Sequence, residues 1–274
     1  DAVNSVGGTV IPALLKALGV KEVVELNCEP TGRFAHNPEP IPENLIQISE
    51  KIKECGADLG IVVDPDVDRL ALVCENGEMF VEEYTLVAVA DYVLKHTPGN
   101  TVSNLSSSRA LRDVTLAHGQ QYNAAAVGEV NVVTKMKETN TVIGGEGNGG
   151  VIYPESHYGR DALVGVGLFL SHFVAEGKSM TVLKATYPQY FISKNKLTLS
   201  PDMDVDKILE GLKKKYASEE ITDIDGVKID FKDGWVHLRK SNTEPIIRIY
   251  SESKDEAAAN QLAEEVIKVA QSLY

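Results

Sequence analysis

Through residue 188 the chain alternates two apolar patterns, a spacing near 3.6 residues and short runs of β-formers, with glycine or proline between them. A helix buries a stripe and a strand buries a face, so this alternation demands helices layered on sheets. Ile11, Leu14, Leu15 and Leu18 keep helical spacing as far as Gly19, and "VKEVVEL" at 20–26 then reads as a strand. Leu45, Ile48, Ile52 and Cys55 form a second helical stripe between Pro42 and Gly56, ahead of the strand "LGIVV". Asn76-Gly77 within "RLALVCENGEMFV" predicts a hairpin with a type I′ turn. A helix over "YTLVAVADYVLKH" closes this unit before "TPGN". A second unit opens on "TVSN" and a Ser-capped helix with Leu111, Val114 and His118 on one face. It continues through "VGEVNVVTKM", the strand "NTVIGG" and a helix over "DALVGVGLFLSHFVAEG".

Beyond Pro188 the strands lengthen: "YFISKNKLTL", "GVKIDF", "GWVHLR" after a Lys232-Asp233-Gly234 turn, and "PIIRIYSES". Two helices accompany them, over "DVDKILEGLKKKY" and over the last 20 residues. Ser253 and Glu256 read as a capping box for the latter, which turns Leu262, Val266, Val269 and Leu273 inward. The expected fold is α/β: two α/β/α layered domains with mixed sheets, at 1–98 and 99–188, then a smaller α+β domain with an antiparallel sheet at 189–274.

A balance of 27 basic against 40 acidic residues, net −13, excludes a nucleic-acid or anionic-membrane binder and means that an anionic substrate needs a local basic site. No apolar run approaches the roughly 18 residues that span a bilayer. Cys28, Cys55 and Cys74 are scattered and odd in number, which points to a reducing, cytoplasmic setting.

In "GIVVDPDVDRLALV" three carboxylates, Asp64, Asp66 and Asp68, follow an apolar strand at alternate positions. An extended backbone would aim all three at one point, where each raises the others' pKa unless a cation joins them. Arg69 supplies one charge; a divalent ion with hard oxygen ligands, Mg²⁺, supplies the rest. An EF-hand is ruled out, because its obligatory glycine is replaced by Arg69 and strands flank the loop. A solvated acidic turn, or an aspartate-nucleophile phosphatase of the apolar strand then D-x-D-x-T/V pattern, are the other readings; the phosphatase pattern breaks at Asp68.

Two further loops carry chemistry. "IGGEGNGG" at 143–150 places Glu146 and Asn148 in a glycine-rich setting suited to gripping adjacent sugar hydroxyls, although a flexible hairpin explains it as well. "RKSNTEP" at 239–245 combines Arg239, Ser241, Asn242 and Thr243, the donor set of a phosphate clamp or of a plain polar turn.

In this order "DPDVDR", "GEGNGG" and "RKSNTEP" resemble three signature loops of the α-D-phosphohexomutase superfamily, which contains phosphoglucomutase, phosphomannomutase and phosphoglucosamine mutase. "NPEP", "VGEVN" and "YGRDAL" extend the resemblance over almost the whole chain. It implies a family of four domains, of which this chain resembles the second to fourth. It further implies Mg²⁺ on Asp64, Asp66 and Asp68, with Arg69 reaching the reacting phosphate. Glu146 and Asn148 would contact the sugar, and Arg239, Ser241, Asn242 and Thr243 the phosphate that is not transferred. Glu129, His157 and Arg160 become candidates for proton transfer or phosphate contact.

The family's phosphoserine lies in a serine loop of its first domain, and no such motif occurs here; "FAHNPEP" lacks the serine. The resemblance therefore implies a hexose phosphate substrate and a partner domain bearing the phosphoserine, without which the chain is inactive. Most family members carry Ser in place of Asn148 and His in place of Gly150, so the resemblance leaves the sugar open among glucose, mannose and glucosamine phosphates. A non-catalytic sugar-phosphate binder is the alternative.

Overall fold

The computed structural model describes residues 1–198, 204–241 and 244–273. It divides into two compact units, residues 1–124 with 128–188, and residues 125–127 with 189–274.

The first unit opens with α1 (Gly7–Ala17), ended at Gly19, whose φ of 87° suits a residue without Cβ. A 3-10 turn at Pro42–Asn44 leads into α2 (Ile46–Cys55), which stops at Gly56 in the left-handed region. Leu45, Ile48 and Ile52 of this stripe are buried, whereas Cys55 is exposed. Strands β1 (Leu59–Val63) and β2 (Leu70–Cys74) pair antiparallel from Leu59↔Cys74 to Val63↔Leu70, and Val62, Ala71 and Val73 pack against the α2 stripe.

Two expectations change here. Residues 20–26 form no strand: apart from the bond from Ala2 N–H to Leu26 O, no ladder of hydrogen bonds to a neighbouring segment forms along them among the described residues. The Asn76-Gly77 turn is not type I′. Only Gly77 has positive φ, and Cys74 N–H donates to Glu78 O, so three residues close the loop and the second arm is a single bridge at Val73↔Met79.

The unit continues with α3 (Glu82–His96), β3 (Asn100–Asn104), α4 (Arg109–Ala117), β4 (Tyr122–Ala125), α5 (Glu129–Glu138), β5 (Thr141–Glu146), β6 (Gly150–Ile152), α6 (Ala162–Glu176) and α7 (Met180–Ala185). The strands form one mixed sheet in the order β4-β3-β5-β6, with β3 and β5 parallel and β5 and β6 antiparallel. Ser108 caps α4 as expected, its Oγ accepting from Ala110 N–H at 3.1 Å. The helix α3 is apolar nearly all round, with eight consecutive buried residues from Glu83 to Ala90, because α4, α6 and the sheet all pack on it.

The second unit is an antiparallel sheet in the order β7-β11-β10-β9-β8, from β7 (Phe191–Thr198), β8 (Glu220–Thr222), β9 (Val227–Phe231), β10 (Gly234–Lys240) and β11 (Ile246–Ser253). Helices α8 (Val205–Lys215) and α9 (Glu256–Gln271) cover one face, where Ile208, Leu212, Val266 and Ala270 meet Val236, Leu238, Ile247 and Ile249. The capping box at α9 is not formed. Asp255 is the N-cap, accepting from Ala258 N–H at 2.8 Å, while Ser253 Oγ donates to Asp233 O. The short strand β8 has no counterpart in the sequence reading.

Candidate active site

The aspartate loop leaves β1 at Val63 and returns through β2 at Leu70. The three carboxylates do converge, with one oxygen from each of Asp64, Asp66 and Asp68 within 4.8 Å of one another. They do so through a turn and not by extended alternation. Val67 sits at φ 61°, a conformation that costs a β-branched residue on the order of 1–3 kcal/mol. Its amide donates to Asp64 O and its carbonyl accepts from Ala162 N–H, so both ends of the strained residue are tied to neighbouring elements.

Asp64, 1% exposed, organises the loop. Oδ1 accepts from the amides of Asp68 and Arg69, and Oδ2 pairs with Arg69 Nε at 2.6 Å. Asp68 is held by Arg160 Nη2 and lies 3.7 Å from Arg69 Nε. Burial, followed by the charge of Asp64, pushes the Asp68 carboxyl up to about 6, against the pull of Arg160. Asp66 is exposed.

Arg160 joins this loop to the glycine-rich one. Its Nη1 donates to Glu146 Oε2 at 3.1 Å, its backbone amide to Glu129 Oε1 at 3.0 Å, and its Nε lies 3.4 Å from Glu129 Oε2, an ion-pair distance without hydrogen-bond alignment. Glu146 ends β5, where Oε1 also accepts from Asn104 Nδ2 and Gly128 N–H. The loop beyond it is tight. A Cβ on Gly147 would lie 2.1 Å from both Glu83 oxygens, and one on Gly149, at φ 87°, would lie 2.4 Å from Leu70 O. Asn148 is exposed and its Oδ1 accepts from Gly150 N–H. His157 Nε2 meets Asp161 Oδ2 at 2.9 Å, while Asp161 Oδ1 caps α6 through the amides of Leu163 and Val164.

Five carboxylates (Asp64, Asp66, Asp68, Glu129, Glu146) thus surround two guanidiniums, Arg69 and Arg160. The excess of negative charge on hard oxygens fits a divalent cation.

In the second unit Arg239 leaves β10 with a buried Nε that has no hydrogen-bond partner among the described residues. Ser241 is 6% exposed; its amide donates to Ile246 O and its Oγ accepts from Glu244 N–H. Asn242 and Thr243 lie outside the described residues.

Three family models match in succession: "Phosphoglucomutase/phosphomannomutase, alpha/beta/alpha domain II" over residues 1–77, the corresponding domain III over 82–190, and the C-terminal domain over 197–269. The chain belongs to the phosphoglucomutase/phosphomannomutase family. A phosphoglucomutase/phosphomannomutase of Thermococcus kodakarensis is 39% identical over 273 residues, 98% of this chain and 59% of that protein. A phosphoglucosamine/phosphogalactosamine mutase of Sulfurisphaera tokodaii is 33% identical over 98% of this chain and 60% of its own length. The crystal structure of a phosphoglucomutase/phosphomannomutase family protein from Burkholderia thailandensis superposes with a TM-score of 0.86 at 29% identity, covering 99% of this chain and 60% of that one. The chain therefore spans about three fifths of the relatives it matches.

Set in the phosphoglucomutase/phosphomannomutase family, Asp64, Asp66 and Asp68 make a metal-binding triad, and the structure joins Arg69, Arg160, Glu146 and Glu129 to it through ion pairs. His157 is bonded not to this network but to Asp161, the residue after Arg160. The sequence reading missed Asn104 and Glu83. Asn104 steadies Glu146, and Glu83 Oε2 accepts from Ser108 N–H beneath Gly147. A polar residue ending an apolar strand, as Asn104 does in "TVSN", was the available signal; Glu83 gave none. No helix among the described residues is long and apolar enough to cross a membrane.

Proposed function

We propose that this chain supplies the metal, sugar and phosphate sites of a Mg²⁺-dependent phosphohexomutase that interconverts hexose 1-phosphate and 6-phosphate. The observation that supports the reading is the continuous ion-pair chain from the aspartate triad through Arg160 to Glu146, which joins the aspartate loop to the glycine-rich loop. A bound divalent ion would offset the carboxylate charge and withdraw charge from a phosphoryl group in transfer. The protein's own groups do the rest. Arg69 approaches the moving phosphoryl, Glu146 and Asn148 orient the sugar hydroxyls, and Glu129, His157 and Arg160 handle protons or contact phosphate. Arg239, Ser241, Asn242 and Thr243 hold the phosphate at rest, a role supported by the buried Nε of Arg239, which has no hydrogen-bond partner among the described residues.

The phosphoryl donor in this reading is a phosphoserine on a further domain. The chain by itself then turns over no hexose phosphate, and the sugar among glucose, mannose and glucosamine is chosen at Asn148 and Gly150. A coupled assay tests this with each of the three 1-phosphates, on the chain alone and on the chain joined to the part of the Thermococcus relative that lies outside the match. The expected result is no turnover alone and Mg²⁺-dependent isomerisation when joined, lost in Asp66→Asn. A joined protein that carries phosphoserine yet isomerises none of the three would overturn the proposal. Micromolar binding of glucose 1-phosphate by the chain alone would favour a sugar-phosphate binder instead.

A further inference from the structure

The four amides that open an α-helix have no partner inside it, and in α6 each of the four can be followed to its acceptor. Asp161, the residue before the helix, is extended at φ −150° and ψ 106° and donates its own amide to Val151 O of β6 at 2.9 Å. The amides of Leu163 and Val164 go to Asp161 Oδ1 at 2.8 and 3.1 Å. The remaining one, from the buried Ala162, leaves the helix altogether and reaches Val67 O at 3.0 Å. Gly165 N–H then donates to Asp161 O, the first bond of the helix ladder.

Val67 is the left-handed residue in the turn of the aspartate loop, between Asp66 and Asp68. A valine at φ 61° stays there only where its surroundings hold it. The hold has two ends. Within the loop its amide donates to Asp64 O, and from outside the Ala162 amide donates to its carbonyl. On the other side of Asp161, Arg160 reaches Asp68 and Glu146 through its guanidinium and Glu129 through its amide. Residues 160–162 therefore bring the aspartate loop, the glycine-rich loop, β6 and the start of α5 to one helix end. Asp161 fixes that end: Oδ1 holds the first turn of α6, and Oδ2 meets His157 Nε2 at 2.9 Å.

We propose that Asp161 is a positioning residue for the aspartate triad. By capping α6 it keeps the Ala162 amide on Val67 O, and that bond holds the strained turn in the shape that brings Asp64, Asp66 and Asp68 together. The role in metal binding rests on the reading given above, whereas the geometry does not. Asparagine offers the helix amides the same acceptor, so Asp161→Asn preserves cap and turn. Alanine offers none. The first turn of α6 then frays, the Ala162 amide leaves Val67, and the valine relaxes toward negative φ, which moves Asp66 and Asp68 apart. Ala162→Pro isolates the decisive bond. Proline is accepted at the first position of a helix and after an extended residue such as Asp161, so the cap survives and only the donor to Val67 is lost.

Amide exchange read by NMR on the metal-free chain tests this at Asp68 and Arg69, whose N–H groups bond Asp64 Oδ1 inside the turn. Asp161→Ala and Ala162→Pro are each expected to speed exchange at both amides at least tenfold, while the β1–β2 ladder keeps the parent's rates. Asp161→Asn is expected to stay within threefold of the parent at the same two amides. Mn²⁺ titration, followed by the EPR signal of the free ion, should show affinity about tenfold weaker in the first two variants and within threefold in the third. Unchanged exchange at Asp68 and Arg69 in Ala162→Pro would overturn the proposal, also if Asp161→Ala fails to fold. Acceleration spread evenly over the β1–β2 ladder would overturn it too, since Asp161 would then be a helix cap and nothing more. A parent that binds no Mn²⁺ while the exchange pattern holds would sink the metal reading and leave the positioning of the turn standing.

Discussion

Gly147 and Arg160 set the geometry of the site at the scale of single residues. Alanine at 147 would drive a methyl into the Glu83 carboxylate at 2.1 Å, and Glu83 cannot retreat freely because Oε2 holds the Ser108 amide at 2.7 Å. Overpacking of this kind costs about 1–3 kcal/mol. Gly147→Ala should lower the melting midpoint by roughly 3–8 °C, read by calorimetry. Arg160 is the only cation bonded to Asp68, Glu146 and Glu129 together among the described residues. Arg160→Met leaves these partly buried carboxylates facing one another, at a cost of about 2–4 kcal/mol. Mg²⁺ at millimolar level should recover part of that loss, because a cation returns to the same cluster. Arg160→Lys keeps the charge but not the fork and should fall between parent and Met, as denaturant unfolding with and without Mg²⁺ would show. Local spacing made the aspartates, Glu146 and Arg239 legible in the sequence. The Arg160 contacts were not, because the acceptors of its guanidinium lie 14 and 92 positions away and that of its backbone amide 31, and only the fold brings them together.

At the scale of elements, what a segment becomes depends on who stands beside it. "VKEVVEL" has strand composition but lacks the ladder that defines a strand, whereas "LGIVV" pairs with β2 in full register. Helix caps follow the same logic. Ser253 and Glu256 have capping-box spacing, but Ser253 belongs to β11 and spends its hydroxyl on Asp233 O, which hands the cap to Asp255. Asp255→Ala should therefore cost about 1 kcal/mol, while Glu256→Ala, losing only a charge at the helix N-terminus, should cost about 0.3–0.5 kcal/mol. A difference in urea midpoints between the two variants checks this; equal midpoints would restore the capping box. The Ser108 cap and the Gly19 and Gly56 stops were readable because each is settled within one turn of chain.

Taken whole, the molecule carries a net charge of −13, and part of its acid response comes from histidines it keeps neutral inside. His237 on β10 is 1% exposed, with Nε2 bonded to Asp225 O at 2.6 Å. Burial lowers its pKa to about 4, and nearby Lys228 and Arg239 push the same way, against Asp225. His172, buried in α6 against the Tyr187 hydroxyl, is also lowered by burial. For both, the unfolded chain binds a proton that the folded chain refuses. Stability is therefore whole above the ordinary histidine pKa near 6.5 and falls as pH drops toward the folded value. For His237 the window runs from about 6.5 to about 4, and the loss approaches roughly 3 kcal/mol at its lower end. His237→Gln keeps a donor for Asp225 O and has no proton to gain. It should lower stability at pH 7.5 by about 1–2 kcal/mol and flatten the slope between pH 6.5 and 4.5 for the unit spanning residues 189–274. Urea unfolding followed at Trp235, on β10 beside His237, reads that unit directly. A slope unchanged by the substitution would move the acid sensitivity to carboxylates titrating lower in the same range.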